Sequence, residues 1–81
     1  MQVLKAMTEE ISIASASNVN GSKLLRIYNT GTTDELITIA NGGATIASFT
    51  VASKTFTYVE KETTDTIQGA NVRACGIAYK G

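Results

Sequence analysis

The stretch Leu24–Asn41, read as LLRIYN, TGTTDE and LITIAN, decides the fold. Two β-prone runs flank a short polar connection, which is the pattern of strand, turn and strand. Side chains alternate across a strand, so Leu25 and Ile27 share one face of the first run. Leu24, Arg26 and Tyr28 take its other face. In the second run Ile37 and Ile39 lie opposite Leu36, Thr38 and Ala40. Paired as a hairpin, the two runs give one clean apolar face for a core. Their other face is mixed: Leu24, Tyr28 and Leu36 beside Arg26 and Thr38.

Working outward, the same alternation predicts further short strands. Residues 2–8 read as an edge strand in preference to a short helix, because so few residues make a marginal helix. A second strand opens at Ile11, with Ile11 and Ile13 inward. The Ser- and Asn-rich residues 15–22 form a surface loop with a turn at Asn20–Gly21. Asn41–Gly42–Gly43 is the sharpest turn signal in the chain. Ala44–Ala52 follows as a strand whose parity changes between Ile46 and Phe49, which calls for a β-bulge near Ala47 or Ser48. Thr55–Glu60 is strongly β-prone, with Phe56 and Tyr58 on one face and Thr55, Thr57 and Val59 on the other. Thr63 or Thr64 is placed to cap a single helical turn through Ile67, ended by Gly69, with Ile67 pinned to the core. Asn71–Lys80 is the last strand, where Gly76 marks a bulge or a close backbone approach.

The sum is about seven short strands joined by brief polar connections, which favours antiparallel pairing. The expected fold is all-β: one domain over residues 1–81, a compact antiparallel β-sandwich or flattened barrel. The chain contains no proline. Edge protection therefore falls to charge, with Lys54, Lys61 and Lys80 as the candidates.

Bulk composition narrows the function classes. The 81 residues are 43% hydrophobic, enough for one core and too many for general disorder. Seven basic and seven acidic residues give zero formal charge. That gives little long-range pull toward nucleic acid or anionic lipid, and little repulsion between copies. One cysteine, Cys75, allows no internal disulfide and reads as a small buried hydrophobe. No run has membrane-spanning length, and early charge in residues 1–10 argues against a signal peptide. These features point to a product of the cytoplasm, or of an assembly made there.

Chemistry is sparse. The absence of histidine removes Ser/His/Asp and Cys/His catalysis and ordinary zinc sites. Ser22–Lys23 and Ser53–Lys54 are adjacent pairs that point apart on an extended backbone. Asp34–Glu35 and Glu60/Glu62 read as turn and rim acids rather than opposed glycosidase carboxylates. Asn41–Gly42–Gly43 enters a strand, whereas a phosphate-binding loop enters a helix. Asp34, Glu35 and Asp65 lack calcium-loop spacing. No enzyme activity, cofactor or metal is expected. What remains is the mixed face of the first strand pair. Aromatic and arginine residues anchor protein interfaces, so Leu24, Arg26, Tyr28 and Leu36 are the candidate contact residues.

Four segments carry a resemblance: residues 23–31 (KLLRIYNTG), 56–61 (FTYVEK), 64–68 (TDTIQ) and 72–79 (VRACGIAY). In this order they resemble small β-sandwich virion proteins of tailed bacteriophages, notably marine and cyanobacterial phages. The likeness spans roughly residues 24–79 and consists of strands and turns, with no reactive motif. It implies a head decoration or cement protein on the capsid surface, bound to the major capsid protein and assembled in the host cytoplasm, with no enzyme, cofactor or metal. The balanced charge and the lack of a membrane-length run add the expectation of no nucleic-acid or membrane partner, and leave self-association open as a further contact. Within the same resemblance lie a tail, neck or fibre component. From residue pattern alone a small nucleic-acid-binding barrel is the other alternative.

Overall fold

The computed structural model describes residues 3–80; the side chains of residues 3–5 and 79–80 lie outside that description. Eight strands run in the order β1 (Val3–Ala6), β2 (Ile11–Ser12), β3 (Leu24–Asn29), β4 (Glu35–Asn41), β5 (Ala44–Val51), β6 (Phe56–Glu60), β7 (Thr66–Gln68) and β8 (Val72–Lys80). They form two antiparallel sheets. One has the order β1-β8-β3-β6, with β2 also on β8, and the other β5-β4-β7. The chain is an all-β sandwich, as the alternation implies, with extents of 33 × 30 × 19 Å.

The core is contributed by both sheets. Leu25, Ile27 and Ala74 from the first meet Ile37, Ile39, Val51 and Ile67 from the second, with Ile13 and Val19 from the connecting loop. At about 25 cal/mol per Å² of apolar area, these fully buried branched side chains are the main favourable contribution to folding.

The expected hairpin between β3 and β4 does not form. β3 pairs with β6 and β8, whereas β4 pairs with β5 and β7. The connection after Asn29 arches from one sheet to the other. Leu25 and Ile27 therefore face Ile37 and Ile39 across the core instead of lying beside them. Period-two alternation specifies which face is apolar and is satisfied equally by both arrangements. Asn29 holds the arch. Fully buried, its Nδ2 donates to the carbonyls of Thr33 (2.9 Å) and Val51 (3.0 Å), and its Oδ1 accepts from the Gly31 N–H (2.8 Å). One side chain so ties β3, the arch and the end of β5 together.

The hairpin lies one strand later. Asn41 pairs with Ala44 around Gly42 and Gly43, whose φ values of 60° and 85° give a type I′ turn. β5 carries its bulge at Ile46, since Ile39 opposes Ala47 while Ala40 opposes Thr45. The bulge precedes the expected site and leaves Ile46 exposed at the hairpin's end.

The expected helical turn before Gly69 is instead β7. Pairing Thr66–Gln68 with β4 satisfies more backbone groups than one isolated turn would. Ile67 is fully buried, as its role as a pin requires. Gly76 is a close approach of a side chain to the strand: a Cβ there would meet Ser22 Oγ and lie 2.9 Å from Ser22 Cβ. Lys61 is buried and guards no edge, and Lys54 occupies the β5–β6 turn at φ 60°. Lys80 lies outside the described side chains.

Candidate interaction surface

The outer face of the β6-β3-β8 sheet assembles the most distinctive side chains in the chain. Register sets Arg26 of β3 between Tyr58 of β6 and Cys75 of β8. Tyr28 stands between Phe56 and Arg73 in the same way, and Leu24 opposes Glu60. β-branched and aromatic residues keep the backbone extended, and the pleat then turns every second side chain outward.

These neighbours interact. Phe56 and Tyr58 meet edge to face with centroids 5.6 Å apart, and stay 51% and 41% exposed. The Arg26 guanidinium lies 4.8 Å from the Phe56 centroid and 5.8 Å from that of Tyr28. At these distances the cation is attracted by the negative faces of the rings. Glu10, from the excursion between β1 and β2, closes the group. Its Oε2 lies 3.5 Å from Arg26 Nη1, and its Oε1 accepts from Arg73 Nε at 3.2 Å. Both arginines are thus held by one carboxylate, and Glu60 supplies a second acid on the same face. The result is a rigid aromatic platform with no net charge.

Two of these anchors, Phe56 and Tyr58, are absent from the sequence-derived set, although their shared face is legible in β6. What was missing is the partner strand: only the β3–β6 pairing brings them beside Arg26 and Tyr28. Leu36 goes the other way. It is 58% exposed but stands on the outer face of the β5-β4-β7 sheet, across the sandwich from Leu24, Arg26 and Tyr28. The four residues do not form one patch.

The remaining polar groups serve the fold. Asp34 Oδ1 accepts from the Ser53 N–H, and Glu35 Oε2 accepts from Asn71 Nδ2. Ser53 Oγ donates to the Gly31 carbonyl. Buried Asp65 accepts from Asn41 Nδ2 at 2.7 Å and from the Glu62 N–H at 3.2 Å. Lys61 Nζ donates to the Glu62 carbonyl at 3.1 Å. Burial pushes the Lys61 amine below its ordinary 10.5, and the nearby Asp65 charge opposes that shift. Cys75 is buried as a free thiol. An open groove of about 530 Å³ beside Leu24 is lined by Met7, Thr8, Ser22, Lys23 and Ile77, with no acid–base pair among them. Among the described residues no cluster of three or more His, Cys, Asp or Glu is placed to hold a metal, and no helix is long and apolar enough to cross a membrane.

No family model, curated protein or solved structure matches the chain.

Proposed function

We propose that this chain is a non-enzymatic virion protein that docks onto the major capsid protein through its β6-β3-β8 face and stabilises the head of a tailed phage. The observation that carries the docking reading is the exposed Phe56–Tyr58 pair, with Arg26 over the Phe56 ring. Rigid aromatic and arginine side chains supply contact area at low entropic cost, and a neutral platform suits a protein surface. The capsid as partner follows from the resemblance of residues 24–79 to small phage sandwich proteins. A capsid presents one site many times, so modest contacts at each copy suffice for full decoration.

Purified virions of the encoding phage should contain the protein by mass spectrometry, and removing it should lower the heat resistance of expanded heads. Absence from the virion defeats the proposal. Location in an electron-microscopy map distinguishes the head from a tail, neck or fibre position.

The aromatic platform also raises a nucleic-acid reading, because bases stack on such rings. Its charge opposes that. Arg26 and Arg73 share Glu10, which leaves few cations for phosphate. No retention of single-stranded DNA or RNA on filters is expected even at low salt.

A further inference from the structure

β5 and β6 are each the last strand of their sheet and are joined by the turn over residues 52–55. β5 pairs with β4 alone among the described strands. It is eight residues long, ATIASFTV, with neither a charge nor a proline. Natural edge strands usually carry such guards. β6, by comparison, ends at the exposed Glu60, with the exposed Glu62 just beyond it. On the inner face of β5, Val51 is buried while Phe49 is only half buried, although it packs on the core. The chain leaves its own core partly uncovered on this side.

The direction of the free backbone groups follows from the ladder. Ile67 gives its N–H and its carbonyl to Ser17, at 2.8 and 3.1 Å, so both point away from β4. Ile39, its partner in β4, therefore turns its own groups toward β5. Alternation extends this to Ile37 and Glu35, which face Phe49 and Val51. Ser48 and Thr50 are left with N–H and carbonyl pointing out of the sheet edge.

We infer that β5 is a self-association edge, on which two copies pair antiparallel about a two-fold axis at Phe49. Phe49 is the midpoint of the straight segment 47–51, bounded by the bulge at Ile46 and by the turn that follows Val51. Pairing about it sets Ser48 of each copy opposite Thr50 of the other, where each pair exchanges both backbone hydrogen bonds. The two Phe49 residues become a close cross-strand pair and cover one another's exposed area. A second copy fits this edge because a strand paired with itself forms a closed isologous contact. No like charges meet in that register, and the neutral chain sets no long-range barrier.

Sedimentation velocity over a concentration series tests this on the whole chain. The wild type should pass from monomer to dimer, and amide exchange at Ser48 and Thr50 should slow as the dimer fills. Thr50→Pro removes an outward N–H that β4 does not use. It should weaken association by roughly tenfold or more while the far-ultraviolet spectrum is kept. Should that variant fail to fold, Ser48→Lys with Thr50→Lys sets like charges directly opposite and should also abolish the dimer. A wild type that stays monomeric throughout overturns the inference, as does an association that the double-lysine variant leaves unchanged. Tyr58→Ser, on the docking face, should not alter the dimer, so failure here is distinguishable from failure of the capsid proposal.

Discussion

Asn29 is the residue on which the arch depends. Replacing it with alanine removes a buried hydrogen bond to the Val51 carbonyl and part-buried ones to the Gly31 N–H and the Thr33 carbonyl. Each buried group left unpaired costs on the order of 1–3 kcal/mol, and relaxation recovers part of the sum. Asn29→Ala should therefore lose about 2–4 kcal/mol in urea unfolding. A loss within experimental error would show that the arch holds without it. Lys61 gives a second test at this scale. An amine whose pKa is lowered by folding binds fewer protons folded than unfolded in the interval below 10.5. Stability should therefore climb as pH rises through that interval. Lys61→Met should remove the alkaline climb, read as the pH dependence of the urea midpoint, while the fold persists at neutral pH.

At the scale of elements, the pattern was legible wherever the local signal had one solution. Asn41–Gly42–Gly43 admits a type I′ hairpin and forms one. Phe56 and Tyr58 share a face, as β6 alternation requires. The partner of β3 was not legible, because the arch and the hairpin bury the same four residues, Leu25, Ile27, Ile37 and Ile39. Thr66–Gln68 hid as a strand because three residues carry too little period, and only the free edge of β4 recruits them. The contact surface inherited the same limit. Arg26 and Tyr28 were visible in β3, but Glu10 reaches Arg26 from 16 positions away and Arg73 from 63. Gly76, by contrast, announced its close approach. Gly76→Ala would drive a methyl group into Ser22, forcing the turn at residues 19–22 off β8. A cost of about 1–3 kcal/mol is expected, measured by thermal or urea unfolding. An alanine variant as stable as the wild type would contradict the packing.

At the scale of the whole molecule, the two sheets divide the work. The β6-β3-β8 sheet offers a neutral aromatic platform outward and half the core inward. The β5-β4-β7 sheet closes the core and exposes an unguarded edge. The proposed docking face and the proposed self-association edge belong to different sheets, so the two proposals place no demand on the same strand. Tyr28→Ser tests the platform at its margin, and attachment should weaken without loss of the fold. Unfolding of the isolated Tyr28→Ser protein would make that residue part of the core's support instead.

The most direct test of the proposed capsid role is co-sedimentation of the purified chain with expanded tailed-phage heads that lack the protein. The wild type is compared with a Phe56→Ser, Tyr58→Ser double variant shown to be folded. The wild type should saturate the heads, and the variant should bind at least about tenfold more weakly, the loss expected for two interface anchors. Equal binding by the two proteins, or no binding by the wild type, would contradict docking through the β6-β3-β8 face.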